Sequence, residues 1–589
     1  MAGENVVGRE PIQIIHIKQK SCSNVFGSSP CTASGTADQK CYNTYPTCQN
    51  KDNYAATTLD LYFTKANLNH EVLDTAGGSP LYLIPSLVSA STAPTVINVG
   101  GSNRNVSPLG LRAVLNVVFQ DHPHSGRVVD PYQAGRTFDA NARGSFWSKW
   151  AVRNKYHKGS DILIYDGYVG QALDEMTSRQ YIIDKLSGPS SSGGVRIVAK
   201  DVLSKVIARK SMAPAASKGE LLSDIDAVVT SVVATGALIA DYATTGTIAI
   251  GDEMMTYSGR VQTTSDTVTF TITLRGSDGT TARTHEAEDT VQAVLEYTSE
   301  KAWDVVQDLL VNYAGIDTAL IPITDWDLEG STYLPSFTIT TKVPDPTPVE
   351  TLVAEITEQS LFYIWWHEVD KEIKMRAIRG VDVEPPLFDD GVNIVSGSFK
   401  IKEVPERRIS QVWTNYGVVS PIENLTKIKN YKTSELLADL DAESTNEYDE
   451  PSIKNVYSRW ITDRNVVLDF NTKTLNRFRD TPYEVTLQVD AKDRANWTGD
   501  TVRLSHFAII DQHGERVITN WRIMSAEAIV PGEVVEYTLD NATLEGVIVV
   551  YMDAGDPDYV GDGTDQFNGA WYAGADGLYS NGDAGPTYA

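Results

Sequence analysis

The chain has 589 residues, of which 41% are hydrophobic and 22% charged, so it is long enough to form about four globular domains. Asp and Glu outnumber Lys and Arg by 77 to 50, which gives a formal net charge of -27. Such an acidic surface repels phosphate groups and argues against a nucleic-acid binder or a protein of anionic membranes. It is compatible with a wall along which DNA slides.

The N-terminus gives no sign of targeting to a membrane. Residues 1–20 lack a basic start followed by an apolar core and a cleavage site, so we expect no secretory signal. No run approaches 18 apolar residues, so we expect no membrane span and synthesis in the cytoplasm.

Residues 1–210 are predicted to form a β domain. Its strand-like segments are rich in β-branched and aromatic residues and are separated by Gly, Pro, Asn and Asp. They lie at 12–17, 58–63, 81–84, 113–119, 161–165 and 194–198. The loop between the first two segments holds all 4 cysteines.

A break at 211–220 precedes a second, smaller unit. Short Thr-rich strands are predicted at 247–250, 254–257 and 267–274, with turn residues at Gly251-Asp252 and Ser277-Asp278-Gly279. Residues 220–297 are therefore predicted to be a small β domain inserted into the larger body.

Residues 298–400 are predicted to be an α+β domain. One helix begins at Ser299 and ends at Gly315, and a second begins at Pro348, each with an apolar stripe at helical spacing. Apolar segments at 361–367 and 373–378 flank Asp370-Lys371 and predict a β-hairpin.

The last two segments differ sharply in composition. Residues 401–545 are β-rich, with an acidic loop at 436–453, and are predicted to form a second β domain. Residues 546–589 are predicted to be a tail, because its part from 553 to 589 is rich in Gly, Asp and aromatic residues and has too few aliphatic residues for a core. We expect its aromatic side chains to dock on another surface or to stay loose until a partner binds. The fold class is therefore mainly β with α+β parts, in several domains.

No catalytic motif is present in the sequence. It lacks HExxH, G-x-S-x-G, a P-loop and a dinucleotide fingerprint, and His122-Pro-His124 is typical of a surface loop. Acidic pairs are too common in this chain to indicate a glycosidase. We predict no catalytic residues and no enzyme.

The cysteines lie together at Cys22, Cys31, Cys41 and Cys48. Four thiolates can hold zinc or an iron–sulfur cluster, although the spacing lacks C-x2-C pairs and matches no ferredoxin pattern. Two disulfides or free thiols are the alternatives, and cytoplasmic synthesis disfavours disulfides. Spacing and position favour a metal centre held by these four residues.

Several segments together resemble one family. Residues 22–35, 40–49 and Asn53-Tyr54 resemble the N-terminus of tail-tip (baseplate) hub proteins of long non-contractile-tailed phages and gene transfer agents. Weaker matches follow in family order, at 179–189, 198–203, 250–253, 274–280, His285, 289–292 and 376–379.

The resemblance implies a homotrimeric structural hub at the distal end of the tail tube. Two tube-type β domains per subunit would build a ring around the DNA exit conduit, and DNA would pass without specific binding. It implies an iron–sulfur cluster, of the 4Fe-4S type, on Cys22, Cys31, Cys41 and Cys48, with zinc as the alternative. The implied partners are tube and distal tail proteins, the tape measure protein, and tail fibres or receptor-binding proteins. The implied location is the tail tip of a virion assembled in the bacterial cytoplasm.

Two other functions are compatible with the sequence. A tail-associated cell-wall hydrolase would use some of the many acidic residues. A receptor-binding adhesin would use the Thr-rich domain at 220–297 and the aromatic tail.

Overall fold

The computed structural model describes residues 10–68, 70–99, 107–137, 144–206, 211–380, 385–541, 549–551 and 570–572. It is mostly β, with several sheets and several domains, as the sequence predicts. Within these ranges, none of the helices is long and apolar enough to span a membrane. The α-helices of the described residues are α1 (Phe146–Arg153), α2 (Ala302–Asp308), α3 (Ile323–Tyr333), α4 (Val349–Gln359) and α5 (Arg464–Phe478).

The N-terminal strands close into a barrel in the order β1-β2-β3-β4-β7-β6-β5. Apolar side chains that alternate along the strands fill its interior, and Phe146, Trp147 and Trp150 of α1 join this core. The strands are β1 (Pro11–Cys22), β2 (Ala56–Lys65), β3 (Leu83–Ala93), β4 (Val114–Gln120), β5 (Asp161–Tyr168), β6 (Thr177–Ser187) and β7 (Gly194–Lys200).

The next strands form a six-stranded sheet in the order β14-β11-β12-β13-β10-β9, with its own apolar core around Phe270. The short β8 lies outside this sheet. The strands are β8 (Met212–Ala213), β9 (Glu220–Leu221), β10 (Ser231–Thr235), β11 (Gly246–Ile250), β12 (Glu253–Thr264), β13 (Thr267–Leu274) and β14 (Gln292–Ala293).

A third region combines α2, α3 and α4 with three pairs of strands, β15-β16, β17-β8 and the hairpin β18-β19. Its core continues past residue 400, because Val412 and Phe470 share it with Leu352. The strands are β15 (Leu295–Lys301), β16 (Thr338–Val343), β17 (Thr347–Pro348), β18 (Phe362–His367) and β19 (Glu372–Ala377).

The C-terminal third contains a six-stranded sheet, β20-β26-β27-β28-β25-β21, and a three-stranded sheet, β23-β22-β24, that packs on α5. A short pair, β29-β30, lies beyond them. The strands are β20 (Leu387–Asp389), β21 (Lys400–Glu403), β22 (Gln411–Val418), β23 (Tyr431–Ala438), β24 (Ile453–Tyr457), β25 (Tyr483–Asp490), β26 (Thr501–Ile510), β27 (Arg516–Val530), β28 (Val534–Asn541), β29 (Val549–Tyr551) and β30 (Ala570–Tyr572).

The predicted strands are found, and the predicted hairpin is β18-β19. The helix predicted from Ser299 begins later, at Ala302, because Ser299 lies in β15 with a left-handed backbone (φ 54°). Its last turn, Leu309–Tyr313, is a π-helix. Most of the tail lies outside the described residues, including Tyr559, Phe567, Tyr579 and Tyr588.

Candidate functional site

The cysteine loop, residues 23–55, connects β1 to β2 and is held from outside by one buried arginine. Arg136 donates hydrogen bonds to the carbonyl oxygens of Ala37, Lys40 and Cys41 at 2.8–3.0 Å. Its Nε lies 2.7 Å from a carboxylate oxygen of Asp130, and both side chains are buried. A planar guanidinium with five donors can fix several backbone segments at once, which a lysine cannot do.

Asn43 organises the interior of the same loop. Its backbone is left-handed (φ 52°), its carbonyl oxygen accepts a hydrogen bond from the amide of Cys22, and its side chain donates to the carbonyl of Cys22. The Cys41 thiol donates to Asn43 Oδ1 at 3.4 Å. Asparagine tolerates this backbone conformation better than most residues, which explains its place at the turn.

The structure brings Cys22, Cys31, Cys41 and Cys48 to the wall of one small cavity that is partly open to solvent. All four are free thiols. Burial raises the pKa of the Cys41 thiol, and the neighbouring cysteines raise it further, against the hydrogen bond with Asn43. The remaining wall is formed largely by the amide side chains of Asn24, Asn43, Asn50 and Asn53.

The expected iron–sulfur cluster, and zinc as its alternative, are contradicted by this geometry. Across the described ranges, no group of three or more His, Cys, Asp or Glu side chains is placed to hold a metal ion. The thiols share a cavity, yet they are not gathered around one point, and Cys41 is engaged with Asn43 instead. The cysteines are close in sequence and therefore lie in one loop. Coordination, however, requires that their sulfur atoms surround one metal ion or cluster, which closeness in sequence does not ensure.

A buried polar joint connects the barrel to the hairpin β18-β19. Glu368 follows β18 and is 2% exposed. Its carboxylate accepts hydrogen bonds from the hydroxyl of Tyr181 in β6, at 2.9 Å, and from the hydroxyl of Thr95, at 3.2 Å. The indole of Trp366 donates to the carbonyl of Gln180 at 3.2 Å.

Charged side chains of the barrel wall partly offset the cost of burying the Glu368 carboxylate in this joint. Burial raises the pKa of Glu368, while Arg179 and the Tyr181 hydroxyl oppose that rise. Arg179 is itself paired with Asp166 at 2.7 Å, and both side chains are buried. Buried charges in this arrangement are costly to separate, so the barrel and the hairpin are held in one relative position.

The C-terminal sheet is attached to the same block. The indole of Trp365 donates to the carbonyl of Thr498 at 2.9 Å, and the Tyr168 hydroxyl donates to the carbonyl of Gly532 at 2.6 Å. Gly499, with φ +98°, lies against the Trp365 ring so closely that a Cβ atom would overlap it. The barrel, the hairpin and the C-terminal sheet are therefore joined by direct buried contacts.

The sheet at 220–293 has its own buried charge cluster. Glu253 is fully buried and accepts hydrogen bonds from Arg275 at 2.7 and 2.9 Å, and its carboxylate lies 2.9 Å from His285 Nε2. Burial by itself would raise the pKa of Glu253, but Arg275, His285 and the amides of Arg283 and Gly276 lower it to about 2. This cluster pins the loop between β13 and β14 to the sheet.

Sequence reasoning missed Arg136, Glu368 and their partners. Tyr181 and Glu368 lie 187 positions apart, and no local pattern predicts their contact. A signal for α1 was available, because Phe146, Lys149, Trp150 and Arg153 follow helical spacing.

No protein-family model matches the chain, and no curated protein matches it. Solved structures that align with it include tail proteins, a gene transfer agent virion, a component of the type VI secretion system and a Francisella PdpA-VgrG complex.

A tail protein from Neisseria meningitidis MC58 aligns over 80% of this chain and 96% of its own, with 11% identity and a TM-score of 0.36. The prophage MuSo2 43 kDa tail protein from Shewanella oneidensis aligns over 80% and 99%, with 8% identity and a TM-score of 0.35. A chain of the native gene transfer agent virion aligns over 55% and 84%, with 11% identity and a TM-score of 0.29. All three scores are below 0.5, so these similarities do not by themselves establish a shared fold or function.

Proposed function

We propose that this chain is a structural, non-enzymatic hub at the distal end of a phage tail tube. Three copies would form a ring that joins the tube to the tip or fibres and encloses part of the DNA exit conduit. The observation that carries the proposal is the set of buried contacts through Glu368 and Trp365, which connect the barrel to the hairpin and the hairpin to the C-terminal sheet. A ring component under load needs this rigidity, whereas an enzyme of several domains commonly needs a mobile cleft.

The two large β units suit a ring built from repeated elements. The closed barrel and the separate six-stranded sheet of the C-terminal third lie in one chain, so three chains would supply six such units. The segment resemblance at 22–35 and 40–49 points to the same assembly.

The charge of the chain supports passage of DNA. A net charge of -27 leaves no excess of cations to neutralise phosphates, so a conduit lined by this chain would repel DNA instead of holding it. The proposed partners are tube and distal tail proteins, the tape measure protein, and fibres or receptor-binding proteins. The proposed location is the virion tail tip, after assembly in the host cytoplasm.

We propose the division into 1–210, 220–297, 298–400, 401–545 and 546–589 as the domain organisation. Cys22, Cys31, Cys41 and Cys48 are proposed as site residues of the cysteine loop in the form of thiols. In this role they supply small, weakly polar side chains, of which that of Cys41 is buried, to a loop that Arg136 holds in place.

Light scattering on the purified full-length chain tests the proposed assembly. A hub predicts a particle with three times the 64.5 kDa mass of the chain, and the fraction of chains in this particle should rise with concentration. A dimer or tetramer that persists at all concentrations, and is also found in assembled particles, would overturn the trimer. A peptidoglycan-clearing assay on the same sample tests the hydrolase alternative, for which activity would have to depend on a specific carboxylate.

A further inference from the structure

A shallow recess, open to solvent, lies between α1 and the cysteine loop. Helix α1 contributes Lys149, Trp150 and Arg153 to its wall, and the loop contributes Tyr42 and Thr44. Thr44 also lines the thiol cavity, so the two spaces share a wall. The hub proposal does not use this recess.

Two guanidinium groups lie against the ring of Tyr42. The Cζ atom of Arg153 is 3.6 Å from the ring centroid and that of Arg136 is 4.0 Å from it. Two cations this close to one centroid must lie on opposite faces, since they would collide on the same face. Tyr42 is therefore clamped between them, and each gains a favourable contact with the aromatic face.

The two arginines differ in their counter-charges. Arg136 is paired with Asp130 at 2.7 Å. Arg153 is half-buried and forms no ion pair within 4.0 Å with a carboxylate of the described residues, and the Asp130 carboxylate that acts on it is already paired with Arg136. A half-buried cation that shares its counter-charge with a second cation is unfavourable, because burial removes water that would otherwise solvate it. Its presence is unexpected in a chain with a net charge of -27.

A second cation lies near Arg153. Lys149 lies one helical turn earlier, and its Nζ donates to the carbonyl of His124 at 2.6 Å. Burial, together with the nearby His122 and Lys149, lowers the pKa of His124 to about 4. His124 is therefore neutral at pH 7, and the permanent cations of the recess wall are Lys149 and Arg153.

We propose that this recess binds a small oxyanion of the phosphate or carboxylate class. The guanidinium of Arg153 is its main charged contact, with Lys149 as the second cation and the Thr44 hydroxyl as a neutral donor. An arginine fork suits the planar or tetrahedral oxygens of such anions. The bound anion supplies Arg153 with a counter-charge of its own, in addition to the Asp130 carboxylate that it shares with Arg136, and stiffens the cysteine loop against α1.

A structural role without a ligand is the competing explanation. Arg153 occupies the last turn of α1, where the helix dipole favours a cation, and the Tyr42 ring favours it too. Under that explanation, the recess has no affinity for anions and the arginine serves only the helix and the ring.

Isothermal titration of the full-length protein with inorganic phosphate, and separately with acetate, distinguishes the two. Ionic strength is kept constant with a salt whose ions are large and bind proteins weakly. We expect saturable binding at one site per chain, weakened at least tenfold by Arg153→Gln and also reduced by Lys149→Gln. Arg464→Gln is the matched control, because Arg464 is an exposed helix arginine paired with Glu435 at 2.8 Å, and it should leave binding unchanged.

Phosphate binding without acetate binding assigns the site to phosphates, and binding of both assigns it to oxyanions generally. Absence of saturable binding of either anion to the wild-type protein would overturn the proposal, as would equal binding by Arg153→Gln.

Melting temperatures guard against misfolding of the variant. An anion site predicts that phosphate raises the melting temperature of the wild type and of Arg464→Gln but not of a folded Arg153→Gln. Equal shifts in all three would refute it.

Discussion

The hydroxyl of Tyr181 in the barrel wall donates a 2.9 Å hydrogen bond to the buried carboxylate of Glu368, beside the hairpin β18-β19. This contact joins parts of the chain that fold around different cores. It lies beside the buried Arg179–Asp166 pair, so a cluster of charges connects the barrel to the hairpin. The neighbouring Trp365 connects the hairpin to the C-terminal sheet. The proposed hub role depends on this rigidity.

Replacing Tyr181 by phenylalanine should destabilise the joint without changing its shape. A hydrogen bond to a charged group contributes about 1.5–3 kcal/mol, and Glu368 would keep only Thr95 as a side-chain donor. Urea unfolding measures the change in free energy of unfolding. Tyr156→Phe, at a 57% exposed tyrosine, should change it by less than about 0.5 kcal/mol. Equal effects of the two substitutions would contradict the account of the joint.

Gly499→Ala should loosen the contact between the hairpin and the C-terminal sheet. The added methyl group would overlap the Trp365 ring, at a backbone φ of +98° that side chains rarely adopt. We expect a loss of about 1–3 kcal/mol from the overlap, in addition to the backbone strain. Gly514→Ala is a matched control, because its φ is +82° and its Cβ would meet open space. If both variants unfold at the same denaturant concentration, the Trp365 contact contributes nothing.

The sheet at 220–293 should lose stability in acid through Glu253. Its pKa in the folded protein, about 2, is below the usual value of 4.5. The stabilisation is therefore complete above about pH 4.5 and is lost as the pH falls toward 2. Pulsed proteolysis with mass spectrometry of peptides from this sheet measures it. Subtracting the profile of Glu253→Gln isolates this group, and a difference that stays constant with pH would contradict the assignment.

Arg136→Leu should release the cysteine loop. The substitution leaves Asp130 buried without its partner, which costs about 3–5 kcal/mol, and frees the carbonyl oxygens of the loop. The Cys41 thiol should then react faster with a chromogenic disulfide reagent. Arg283→Leu breaks a pair whose arginine is 50% exposed and should cost at most about 1 kcal/mol, with no change in thiol reactivity. Unchanged reactivity in Arg136→Leu would show that the loop does not depend on this arginine.

The sequence predicted those features that local patterns determine. A continuous apolar run around Ile364 and an alternating segment around Met375, with Lys371 at the turn, are enough to define the hairpin β18-β19. The helix α5 was not predicted from its pattern, since its mean polarity is high and its buried face includes Asn471 and Thr474. A polar residue on a buried face weakens the apolar stripe on which such predictions depend.

Long-range contacts account for what the sequence did not predict. Arg136 meets Cys41 across 95 positions, and Tyr181 meets Glu368 across 187. The prediction of a metal centre was wrong for a related reason. Four cysteines within one loop indicated shared function, but the turn at Asn43 and the hydrogen bond from Cys41 place the thiols around a cavity wall instead of around one ion.

Cryo-electron microscopy of the tails of particles that carry this chain tests the central claim most directly. The account predicts three copies in one ring at the distal end of the tube, with the barrel and the six-stranded C-terminal sheet of each copy contributing to the wall. A copy number other than three at that position, or a location on the fibres with no contribution to the conduit, would contradict it.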